Sequence, residues 1–126
     1  MINKLRNKSG FTLIELVMVI VILAILAIVA VPKFFDLSAS SKTAAEAGVV
    51  GGVRAAIGTY FAQNKAFPAT LDAAAAGACS AANVCFNTVL GQGGIVSSDW
   101  TRGAGQTYTG PTGTVYTYTA ASGSFL

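Results

Sequence analysis

The run Phe11–Val31, FTLIELVMVIVILAILAIVAV, decides how the rest of this 126-residue chain is read. Its 21 residues hold one charge, Glu15, and one further polar side chain, Thr12. As a helix rising about 1.5 Å per residue it is roughly 31 Å long, enough to cross the hydrocarbon core of a bilayer. A carboxylate within such a segment costs on the order of 2 kcal/mol or more, so Glu15 needs a partner or a task. The blander alternative is a carboxylate close enough to the helix end to reach the interface.

Upstream of the run stand Lys4, Arg6 and Lys8, three of the eight basic residues. They read as a positive-inside anchor that keeps the N-terminus in the cytoplasm. Past Gly10 the five basic residues (Lys33, Lys42, Arg54, Lys65, Arg102) balance the five acidic ones (Glu15, Asp36, Glu46, Asp72, Asp99). The basic pI of about 9.1 therefore comes from the first ten residues and gives no ground for a nucleic-acid partner. A secretory signal peptide fits poorly. The apolar run is too long, and a cut after Ala30 would find Ile28 where a small residue belongs.

With the anchor facing inward, everything beyond it is exported to a compartment where disulfides persist. Cys79 and Cys85, with five residues between them, then read as a small-loop disulfide, with two free buried thiols as the alternative. A metal site is not expected, because the chain has no His and only two thiolates.

Lys8-Ser9-Gly10-Phe11-Thr12-Leu13-Ile14-Glu15 resembles the processing site of type IV prepilins and type II secretion pseudopilins. The resemblance implies a basic leader that ends at Gly10 and is removed on the cytoplasmic side by a prepilin peptidase. It implies Phe11 as the new, N-methylated terminus, and Glu15 as the fifth residue after the cut. Pro32 matches a proline the family often carries at the end of the membrane segment, and it should kink the helix there. The physical chemistry agrees. A cut after Gly10 creates an ammonium on Phe11 at membrane depth, which Glu15 of a neighbouring subunit neutralises, fixing the stagger between subunits. Ala24, Ala27 and Ala30, three apart, would let such helices approach closely.

Beyond Pro32 helical character is expected to continue to Asn64, with Val49, Val53, Ile57, Tyr60 and Phe61 as its apolar stripe. Lys42 and Glu46, four apart, would pair on the exposed face. Pro68 ends the helix, since the residue before a proline leaves the α region. Phe67-Pro68-Ala69-Thr70-Leu71 resembles a segment often found at this place in pilins. Residues 69–99 read as an Ala- and Gly-rich connection holding both cysteines, with a short helix near Leu71–Ala76. The Thr/Tyr runs 106–109 and 114–119 flank Gly110-Pro111-Thr112-Gly113, a hairpin signature. Tyr116 and Tyr118 would share one strand face, and Trp100 would anchor the sheet on the helix.

The expected architecture is α+β, a long N-terminal helix packed on a small antiparallel sheet, as in pilins. It divides into a leader (1–10), a transmembrane or filament-core helix (11–31), its amphipathic continuation (32–64) and a small globular domain (65–126). No His, P-loop, G-x-S-x-G or dinucleotide fingerprint is present, and the acids after the run are scattered, so an enzyme is not expected. Neither is a cofactor. The expected function is a structural subunit of a type IV pilus-like homopolymer. Its partners are the prepilin peptidase, the pilus assembly machinery and, before assembly, the inner membrane. An extracellular pilus is favoured over a periplasmic pseudopilus because no Asp or Glu follows Asp99, where major pseudopilins resemble one another in an acidic calcium loop. Pro32-Lys33-Phe34 also looks like pilins of the mannose-sensitive haemagglutinin type. A different class of reading keeps residues 1–10 and makes the chain a monomeric membrane-anchored periplasmic binding module.

Overall fold

The computed structural model describes residues 9–126; Lys4, Arg6 and Lys8 of the leader lie outside them. One helix and five strands follow in order: α1 (Leu13–Asn64), β1 (Gly77–Cys79), β2 (Ser97–Arg102), β3 (Thr107–Thr109), β4 (Val115–Thr119) and β5 (Ser124–Phe125). The chain divides into two compact units, one reaching to Ser38 and one running from Ala39 to Leu126.

In the first unit, α1 is apolar on all sides. Leu13, Ile14, Met18, Ile22, Leu26 and Val29 are all exposed, as are Phe34, Phe35 and Leu37 beyond them. The helix is long and apolar enough to cross a membrane, and none of its apolar window is covered by the chain itself. A helix hydrophobic all round requires lipid or other helices as surroundings. Pro32 sits inside α1, and helical backbone continues on both sides of it.

In the second unit, the rest of α1 packs on an antiparallel sheet whose strands lie side by side in chain order. Val50, Val53 and Ile57, at helical spacing, are buried against Leu71, Phe86, Trp100, Tyr108, Tyr118 and Phe125. Burial alternates along each strand. Trp100, Tyr108, Tyr118 and Phe125 point inward, while Thr101, Val115, Thr117 and Thr119 face out. The hairpin pairs Thr107 with Thr117, Tyr108 with Tyr116 and Thr109 with Val115. Phe86 is the hub of the core. It stacks obliquely on Tyr108 at 4.3 Å and meets Trp100 and Phe125 edge-on, each at 5.7 Å.

Several expectations need correction. The buried stripe of α1 is Glu46, Val50, Val53 and Ile57; Val49 lies at its margin, and Phe61 stays 41% exposed, stacked on Phe67. Residues 69–99 are more than a connection, since they hold β1 and the start of β2. The short helix expected near Leu71–Ala76 does not form. The groups that would form its first helical bond go elsewhere: the Leu71 carbonyl accepts from Thr88 N–H at 3.0 Å, and Ala75 N–H donates to Asn83 Oδ1 at 2.8 Å. The expectation for Trp100 needs no correction: it is buried in β2, in the core that holds Val50, Val53 and Ile57 of α1, and meets Phe86 and Tyr116.

Side chains also reach both outer strands of the sheet. Arg54 Nε, from α1, donates to the Phe125 carbonyl of β5 at 2.9 Å. Asn83 Nδ2 donates to the Ala78 carbonyl of β1 at 3.2 Å.

Candidate functional site

The helix begins at Leu13, and Ser9, Gly10, Phe11 and Thr12 before it are non-helical and exposed. Phe11 is 87% exposed. Thr12 is the N-cap, because its carbonyl accepts the first helical bond, from Leu16 N–H at 3.2 Å. The Thr12 hydroxyl accepts from Glu15 N–H at 3.3 Å and donates to Glu15 Oε2 at 3.4 Å. Thr12 N–H donates back to the same Glu15 oxygen at 3.4 Å. This reciprocal pattern is a capping box, and its Thr-x-x-Glu spacing is legible in Thr12-Leu13-Ile14-Glu15. The sequence reading weighed Glu15 as a partner for another subunit or as a carboxylate reaching the interface, and missed its local partner. Ser9, Gly10, Phe11 and Glu15 line an open cleft of about 260 Å³.

The cysteines do form a bond. Cys79 and Cys85 are linked with Cα atoms 5.5 Å apart, and both are buried. Within the loop they close, the Asn83 amide ties down the chain, accepting from Ala75 N–H at 2.8 Å and donating to the carbonyls of Ala75 and Ala78. Asp72 sits below it, fully buried, accepting from Phe86 N–H at 2.9 Å and Arg102 Nε at 2.8 Å. Burial, and then the charge of Asp72, push the neighbouring Tyr108 hydroxyl far above its ordinary range, so it stays protonated.

A second carboxylate that the sequence misplaced is Glu46. Expected to face solvent beside Lys42, it is only 4% exposed. Its two oxygens accept from Thr112 N–H and Tyr116 O–H, each at 2.7 Å, joining α1 to the β3–β4 hairpin. A Cβ at Gly110 would collide with this carboxylate, so the hairpin turn needs glycine there. Burial alone would raise the Glu46 pKa, but the bonds from Thr112 and Tyr116 outweigh it and hold the carboxyl below its ordinary value. The same bond, then burial, raises Tyr116. The signal for Glu46 was its place on the 46-50-53-57 stripe. Among the described residues no three of His, Cys, Asp and Glu gather to hold a metal ion.

Residues 5–31 match the family model of the prokaryotic N-terminal methylation motif. Comparison with curated proteins and with solved structures gave no match. The chain thus carries the methylation motif with its class III leader, on a fold consistent with the α+β pilin fold. The motif supports a type IV pilin or pseudopilin and, with the apolar helix, fits membrane anchoring of a precursor.

Proposed function

We propose that the chain is the precursor of a type IV pilus-like filament subunit. A prepilin peptidase removes residues 1–10 by cutting after Gly10, and the Phe11 amine is then methylated. The observation that carries the reading is the stretch of α1 up to Val31, apolar but for Glu15 and uncovered, inside the methylation motif. Before assembly lipid supplies its surroundings; in the filament, neighbouring helices do. Glu15 of one subunit then faces the Phe11 ammonium of the next, and two isolated charges become one pair. In the structure Glu15 uses Oε2 for its own cap. Its Oε1 is the oxygen assigned to the neighbour. Pro32 gives the helix a weakened turn just past the membrane segment, where one backbone N–H is missing. Proteins of this type are structural, and no catalytic role is proposed for any side chain.

Mass spectrometry of the N-terminus in material sheared from the cell surface tests this. The expected peptide begins at Phe11 and carries an N-methyl group. The same peptide confined to the cell envelope would move the function to a periplasmic pseudopilus. An intact Met1 terminus throughout would overturn the proposal and leave an anchored module.

A further inference from the structure

The capping box has a consequence for the Gly10–Phe11 peptide bond. In a helix extended toward the N-terminus, Glu15 N–H would bond the Phe11 carbonyl, four residues back. The Thr12 hydroxyl intercepts that N–H instead, at 3.3 Å, and the helix starts at Leu13. Phe11 and Gly10 remain exposed and non-helical. A protease grips the backbone of an extended substrate on both sides of the bond it cuts, through carbonyls and amides not already engaged in the substrate's own helix.

We propose that Thr12 is a positioning residue for processing: by capping the helix through Glu15 N–H, it keeps the Gly10–Phe11 bond extended and open to the peptidase. The inference rests on the reading that the chain is cut after Gly10. Without the hydroxyl, Glu15 N–H has no polar partner at the edge of a low-dielectric segment other than the Phe11 carbonyl. The helix then draws the residue just after the cut into its first turn. Only the fraction of chains with an open junction is competent, which reduces apparent affinity and leaves the chemical step untouched.

The experiment is steady-state cleavage of the full-length chain in detergent micelles by a purified prepilin peptidase. Thr12→Val removes the hydroxyl and keeps the shape, whereas Thr12→Ser keeps the hydroxyl and drops the methyl. Thr12→Val should raise KM, by up to roughly fivefold, with kcat unchanged, fivefold being the shift in the open–closed equilibrium that losing an N-cap typically brings. Carbon-13 shifts at Phe11 and Thr12 should move toward helical values in the same variant. Thr12→Ser should restore both readouts. A wild-type KM for Thr12→Val overturns the inference, as does an equal rise for Thr12→Ser, which would mean the peptidase reads the methyl group directly. Failure of the wild-type chain to be cut at all overturns the underlying processing reading instead.

Discussion

Glu46 and Glu15 are both carboxylates on one helix, and among the described residues each meets hydrogen-bond donors rather than a cation. At Glu46 the donors come from another element, so its charge state is linked to folding. Its pKa is lowered in the folded state from an ordinary value of 4.5. Stability from this group is therefore fully present above about pH 4.5, and it is lost as pH falls through the lower folded value. Glu46→Gln should weaken that acid limb, so a plot of Tm from pH 7 to pH 3 should fall less in the variant than in the wild type. At pH 7 the same substitution should cost about 1–3 kcal/mol, because an amide that accepts from Thr112 N–H and donates to the Tyr116 oxygen lacks the charge that strengthens both bonds. Parallel acid limbs in the two proteins would refute the linkage. The sequence placed this side chain ambiguously. Its position on the 46-50-53-57 stripe pointed inward, but Lys42 lies four residues away and a surface ion pair is the usual reading of that spacing; the hairpin packed over it decides that the acid faces in.

Elements with a strong local code were legible, and those held by distant partners were not. The hairpin could be read because β-prone runs flank a Gly-Pro-Thr-Gly turn, and the helix because its apolar run is unbroken. β1 has only three residues, Gly77–Cys79, and pairs with β2 across a long gap in sequence. Its order depends on the disulfide, on Asn83 and on Asp72, and none of these contacts has a local signature. Replacing Cys79 and Cys85 by Ala should cost about 2 kcal/mol, as expected for releasing so short a loop. For a domain of this size that lowers Tm by roughly 10 °C. Loss of hydrogen-exchange protection should centre on Cys85 and Ile95, whose amides bond each other's carbonyls. A double variant melting with the wild type would show that Asn83 and Asp72 suffice to order the segment.

For the molecule as a whole, α+β architecture with a long N-terminal helix followed from the sequence, because a membrane-length run and a β-prone tail leave few other arrangements. At this scale Glu15 separates two roles. Glu15→Gln retains a residue fit for the capping box but carries no charge, whereas Glu15→Ala loses both. If pairing with the neighbouring Phe11 ammonium holds the filament, both variants should be processed yet yield at least a hundredfold fewer filaments in the sheared fraction. An unpaired buried ammonium costs about 3 kcal/mol or more. Wild-type filament yield from Glu15→Gln would rule out charge pairing as the register device. If the chain assembles through its helix as proposed, pairing at the sheet edges is a competing route. A bare strand edge is a template on which another chain can add, and such addition would branch a polymer sideways or seed amorphous deposits. Arg54 on the Phe125 carbonyl and Asn83 on the Ala78 carbonyl occupy one acceptor on each outer strand. If subunits crowd side by side as proposed, each outer strand thus offers a neighbour's strand one acceptor fewer.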